Sequence, residues 1–366
     1  MEGRTWNNIL RVFLIFVVFL LDDATSDIDG RAIFQRNGLD EVDEVDEPFW
    51  ELLTGFESRP LQPVEDRNWK SPQNLGQVSG VSVDPSGNPV VFHRGDRVWG
   101  YDTFTQDNVY QEEYKGPIEV NTVLTLDPKT GDVIHGWGNH TFYLPHGIHI
   151  DGFGKVWLTD VALHQVFKYD SSGVLRLVLG QRFEPGNDIN HFCQPTSVAV
   201  APTGEIVVAD GYCNRRIVLF DHIGNPLYSI QEPWVNLQIP HSLTILSDEK
   251  VCIADRENER VLCINAGLPR IKTISFKPPY SIPLLGQVYA VASYRDMVYA
   301  VMNGMKSRDV RTTGLTINPY TQSVVDFWSP ESGSFWNPHD IGISPNGTAL
   351  YVTEIGPNRV WKFNLM

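Results

Sequence analysis

The 366 residues lack any apolar run close to the roughly 20 that a membrane-crossing helix needs. The longest covers only residues 12–21, so no stable membrane span is expected. Basic charge is scarce as well. Lys and Arg number 29 against 44 Asp and Glu, and the formal charge of -15 argues against a nucleic-acid polyanion as the main partner. Seven of those negative charges fall in residues 1–47, so the remainder of the chain is only modestly acidic. At 42% hydrophobic and 20% charged residues the chain is too apolar to be disordered throughout, and a collagen-like or coiled-coil rod is excluded. Cysteine occurs four times, as Cys193, Cys213, Cys252 and Cys263, which allows three pairings if all are oxidised.

The N-terminus sets the compartment. Arg4 and Arg11 precede the short apolar run, and Ala24-Thr25-Ser26 places small residues where a signal peptidase would cut. Residues 1–26 therefore read as a signal peptide, with an uncleaved anchor as the alternative. A secretory route makes disulfides the expected state of the cysteines. It also gives meaning to two glycosylation sequons, at Asn139 and Asn346. Residues 40–47 are a like-charge run too repulsive to pack, so residues 27–67 are expected to form a disordered acidic segment and residues 68–366 the fold.

Beyond Trp69 the texture changes to short Val/Ile/Leu/Trp-rich runs punctuated by turn clusters such as Asp84-Pro85-Ser86-Gly87 and Ser344-Pro345-Asn346-Gly347. The turns belong to a repeat of six units, opening at Ser79, His146, Thr196, His241, Tyr289 and His339. The spacings are 67, 50, 45, 48 and 50 residues, the period of four-stranded propeller blades with one insertion in the first unit. Connections are too short for parallel crossover helices. The expected fold is all-β: one six-bladed β-propeller.

In that geometry the opening residue of each unit starts an innermost strand at one mouth of the central channel. Histidine opens every second unit, and each is preceded by proline. Alternate blades are a third of a turn apart, so His146, His241 and His339 converge on the axis with a fourth direction left open, the layout of a catalytic zinc site. The other seven histidines, His149, His164 and His191 among them, are read as structural. Loops between second and third strands share this face and bring Arg94, Tyr212 and Arg256 to it. Two guanidiniums suit a carboxylate, and a phenol beside cations can act as a general base.

Leu144-Pro145-His146-Gly147, Asn190-His191-Phe192-Cys193-Gln194-Pro195-Thr196, Asp210-Gly211-Tyr212-Cys213-Asn214 and Ala254-Asp255-Arg256-Glu257-Asn258 closely resemble the peptidyl-α-hydroxyglycine α-amidating lyases. The similarity runs from about Asn68 to Phe363. The resemblance implies an NHL-like propeller and cleavage of a peptidyl-α-hydroxyglycine at its N to Cα bond, giving an amidated peptide and glyoxylate. It implies zinc on His146, His241 and His339, and a structural calcium on the carbonyls of Val81 and Ile148 and the side chain of Asp340. It assigns Arg94, Tyr212 and Arg256 to catalysis and pairs Cys193 with Cys213 and Cys252 with Cys263. Asn337 departs from the pattern, which has methionine two residues before the third histidine.

In bifunctional relatives a copper monooxygenase precedes the lyase. Here only about 40 residues separate signal from propeller, so the expectation is a monomeric lyase alone, secreted or in the secretory granule lumen. Its peptidyl-α-hydroxyglycine substrates would come from a separate monooxygenase. Two other readings stay open at this level: a calcium-dependent propeller lactonase or esterase, against which the three histidines speak, and a noncatalytic binding module, which needs no metal.

Overall fold

A computed structural model describes residues 25–26, 32–33, 60–268, 280–304 and 309–366. The chain divides into two compact units, residues 1–59 and 60–366. In the first, the described residues are Thr25–Ser26 paired antiparallel with Ala32–Ile33. The expected signal peptide and acidic run otherwise lie outside the described residues. Among the described residues no helix is long and apolar enough to cross a membrane.

The second unit is the expected propeller: six four-stranded antiparallel sheets, five with their strands in chain order from the channel outward and the sixth completed by a strand from the N-terminal side. The innermost strands of blades 1 to 6 are Val78–Val83, Pro145–Ile150, Ser197–Val200, Pro240–Ile245, Gln287–Tyr294 and Pro338–Ile343. Second strands such as Ile206–Asp210 and Val251–Asp255 are buried at every residue. Both faces of these strands pack on neighbouring blades, so they are apolar in runs rather than in alternation. The apolar side chains gather into six clusters, each bridging two adjacent blades, as Val207 and Ile217 of blade 3 meet Ile253 and Leu262 of blade 4. Each such fully buried aliphatic side chain contributes roughly 1.5–3 kcal/mol of transfer free energy, so the core is the set of interfaces between blades.

One boundary differs from the sequence reading. The propeller begins before residue 68, because Pro63–Glu65 supplies the outermost strand of blade 6 and pairs with Val360–Leu365 near the C-terminus. The physical reason is edge closure: without it the last strand of the ring would present unpaired amides and carbonyls. Pro63 is tolerated because it sits on the outer strand.

Candidate metal centre and active site

Five of the six opening residues sit on bulges. In blades 1, 4, 5 and 6 the inner-strand pairing skips one residue, Ser79, His241, Tyr289 and His339 respectively, and in blade 2 it skips His146 and Gly147. A bulge turns a side chain out of the alternating pattern, and here it aims the imidazoles at the axis. Their ring centroids form a nearly equilateral triangle with sides of 4.8, 4.9 and 4.8 Å. Among the described residues these three make up the one His/Cys/Asp/Glu group able to hold a metal, with one ligand atom from each lying within 4.8 Å of the others.

The non-histidine units have a matching role that the sequence reading missed. The Nδ1–H of His146 donates to the Thr196 carbonyl at 2.7 Å, that of His241 to Tyr289 at 2.6 Å and that of His339 to Ser79 at 2.7 Å. Each histidine blade thus leans on the opening residue of the next blade. A carbonyl only accepts, so the proton is fixed on Nδ1 and the Nε2 lone pair is left for a cation. Burial, aided by the nearby Arg256 charge, holds all three imidazoles below the ordinary range, His339 down to about 3, and repulsion from neighbouring imidazoles adds to the lowering of His146 and His241. Three neutral nitrogens converging on one point are the donor set that zinc takes.

Tyr212 completes the centre. Its hydroxyl oxygen is 2.9 Å from Nε2 of His146 and 3.1 Å from Nε2 of His241. Its loop is held in three ways. The Cys193–Cys213 disulfide tethers the next residue, with Cα atoms 5.4 Å apart. Asp210, fully buried, accepts from the Cys193 amide, Asn214 and Arg216. Gly211 passes so close to blade 4 that a Cβ there would lie 2.1 Å from the Pro240 carbonyl oxygen. Burial pushes the Tyr212 phenol up, while Arg256 and Arg94 pull it down. Burial outweighs the two cations, and the phenol is raised.

Arg94 and Arg256 reach the same mouth. Arg94 is buried, donates Nε–H to the Pro145 carbonyl at 2.9 Å and one terminal N–H to Gln77 at 2.8 Å, and is lowered by burial to about 10, still cationic at neutral pH. Arg256 lies 5.4 Å from the Tyr212 ring and 5.0 Å from the Tyr289 ring. Burial works against its charge, but the two phenols and Glu257 outweigh it and its pKa is raised. Buried residues at the ends of second strands anchor these loops: His93 precedes Arg94, Asp210 stands two before Tyr212, and Asp255 precedes Arg256. Asp160 does the same in blade 2, accepting from the amides of Tyr143, Leu144, Ala162 and Leu163. This recurring buried anchor was legible as a repeat position and was not singled out.

The second disulfide joins Cys252 to Cys263, directly opposite each other in blade 4. Both pairings therefore match the expectation. Val81, Ile148 and Asp340 line a channel cavity of about 390 Å³ that also takes in the three histidines. Asp340 accepts from the Val81 amide at 2.8 Å, and burial raises it to about 7. Among the described residues no ion pair reaches it. Asn337 donates its side chain to the Gly356 carbonyl. Asn139 and Asn346 are both exposed.

Fold and site together define a six-bladed propeller with three converging histidines able to hold a metal, and a phenol beside them. An NHL repeat model matches residues 192–220. The chain is 47% identical to peptidyl-alpha-hydroxyglycine alpha-amidating lyase 2 of Drosophila melanogaster, covering 83% of this chain and 76% of that one. It is 42% identical to peptidyl-glycine alpha-amidating monooxygenase B of Xenopus laevis over 82% of this chain, and spans 35% of that protein's length. The chain belongs to the peptidyl-α-hydroxyglycine α-amidating lyase family. A solved virginiamycin B lyase from Staphylococcus aureus shares the fold at 11% identity, TM-score 0.52, over 84% of this chain and 99% of that one.

Proposed function

We propose that this protein is a zinc-dependent lyase that cleaves the N to Cα bond of peptidyl-α-hydroxyglycine, releasing a C-terminally amidated peptide and glyoxylate. The observation that carries the reading is the placement of the Tyr212 hydroxyl 2.9 and 3.1 Å from two nitrogens of a converging histidine triad, in a chain of this family. His146, His241 and His339 hold the zinc through Nε2. Bound there, the ion supplies a positive charge beside the reacting hydroxyl.

The chain's own residues do the rest. Arg94 and Arg256 bind the substrate carboxylate, each presenting fixed N–H donors to a planar anion. Tyr212, as phenolate, takes the proton of the substrate hydroxyl. The oxygen lone pair closes to C=O as the C–N bond breaks, and the amide nitrogen leaves with the bonding pair and gains a proton. No oxidant and no water are consumed.

Asp340 with the Val81 and Ile148 carbonyls holds a structural calcium in the channel. A carboxylate buried there with no ion-pair partner among the described residues supports that assignment. Residues 1–26 serve as a signal peptide, and two disulfides fit the oxidising secretory lumen. Glycans on Asn139 and Asn346, both exposed, belong to the same route. The relatives named peptidyl-glycine alpha-amidating monooxygenases support a monooxygenase as the source of its substrates.

The purified protein incubated with α-hydroxyhippurate should release glyoxylate and benzamide in equal amounts, with about one zinc per chain. Absence of glyoxylate from folded, zinc-loaded protein would overturn the proposal.

A further inference from the structure

The reaction as described uses only Arg94 from the blade 1 insertion, residues 94–122, although this is the longest fully described connection between a second and a third strand. Its root is fixed. The buried Arg97 donates to the carbonyls of Lys115 and Gly116, at 3.2 and 2.9 Å, and the Ile118 amide donates to Phe142 at 2.8 Å. From blade 2 a file of rings then runs toward the metal centre. Tyr143 meets Phe183 at 4.9 Å, Phe183 stacks on Tyr110 at 6.3 Å, Tyr110 meets Phe104 at 5.7 Å, and Phe104 meets Trp99 at 5.2 Å. Trp99 ends the file. Its ring lies 4.7 Å from the Tyr212 ring, and the Arg94 guanidinium carbon lies 5.5 Å from its centroid.

We infer that Trp99 is a positioning residue for this reaction, holding the Tyr212 phenol and the Arg94 guanidinium at a fixed separation through one indole. The inference rests on the roles given above to Tyr212 and Arg94. The disulfide and Asp210 fix the backbone around Tyr212, but backbone position does not select a side-chain rotamer. Something must press on the ring itself, and Trp99 does so from an element braced independently of the Tyr212 loop. The indole face attracts the guanidinium at the same time. The group that takes the proton and one of the groups that hold the carboxylate are thus referenced to a single rigid plane.

Misplacing a reacting group by an ångström can cost about 10²-fold, so Trp99→Ala should lower kcat by roughly 10- to 100-fold at unchanged zinc content. Trp99→Phe, which keeps a ring against both partners, should recover most of that loss. A purely structural tryptophan would not show the decisive signature, which is coupling. In a Tyr212→Phe background the penalty of Trp99→Ala on kcat should shrink, because the phenol it positions is gone and only the part acting through Arg94 is left. A kcat within about twofold of wild type for folded, zinc-loaded Trp99→Ala, or an equal penalty in both backgrounds, overturns the inference. If Trp99→Ala does not fold, Trp99→Leu is read by the same cycle. A wild type that releases no glyoxylate would overturn the lyase reading and this inference together. An active wild type with an unimpaired Trp99 variant overturns the inference alone.

Discussion

Tyr212→Phe isolates one atom. The phenol oxygen lies 2.9 Å from Nε2 of His146 and 3.1 Å from Nε2 of His241, so its removal takes away a polar contact and the proposed base together. The ring stays. Trp99 packs on it at 4.7 Å, Arg256 lies 5.4 Å from it, and the disulfide next to it is untouched. The stability cost is that of one hydrogen bond, about 0.5–1.5 kcal/mol, less when the histidine nitrogens are engaged by metal. The catalytic cost is larger. A positioned general base contributes about 10²–10⁴ in rate, or roughly 2.7–5.5 kcal/mol of transition-state stabilisation. Because Arg94 and Arg256 still hold the carboxylate, the loss should fall on kcat while KM changes little. Glyoxylate release at saturating α-hydroxyhippurate reads kcat, metal analysis reads zinc, and a thermal melt reads stability. Near wild-type kcat in the mutant would refute the assignment and shift proton abstraction to another group.

Replacing His146, His241 or His339 by Ala should each lower zinc content and activity, since two remaining ligands hold the ion poorly; full zinc and full activity in all three variants would count against the site. Gly211→Ala puts a Cβ 2.1 Å from the Pro240 oxygen, so it should cost about 1–3 kcal/mol by overpacking and reduce kcat by displacing Tyr212, measured by melting temperature and turnover. A chain beginning at residue 68 should melt well below one beginning at residue 60, because it lacks the strand Pro63–Glu65 that covers Val360–Leu365; equal melting temperatures would deny that strand its closing role. In chelator, the triad should make the protein progressively less stable as pH falls from about 6.5. The folded imidazoles have lowered pKa values and resist protons that the unfolded chain accepts, so their contribution is complete above the unfolded value and is lost toward acid. Melting curves in chelator between pH 7 and pH 5 test this, and replacing the three histidines by Asn should flatten the dependence.

The six-fold repeat, the strand pattern and the alternating histidines could be read from the sequence because each is a local or periodic property. A four-stranded blade buried on both sides requires apolar runs of fixed length, and turn residues at fixed offsets end them. Periodicity then converts position in the chain into angle around the axis. That is how His146, His241 and His339 could be brought together before any coordinate, and how Arg94, Tyr212 and Arg256 could be assigned to one face.

What the chain could not disclose depends on contacts between segments far apart in sequence. The carbonyls that fix each histidine tautomer come from Thr196, Tyr289 and Ser79, one blade further on, and any residue type offers a carbonyl. The bulges that aim the imidazoles are pairing offsets between strands. Strand Pro63–Glu65 is too short and too polar to announce itself, and only the free edge of the C-terminal strand gives it a place. Trp99 meets Tyr212 across 113 positions because an insertion folds back over the mouth. Backbone hydrogen bonds and ring contacts carry no periodic signature, so tertiary packing alone decides where they fall.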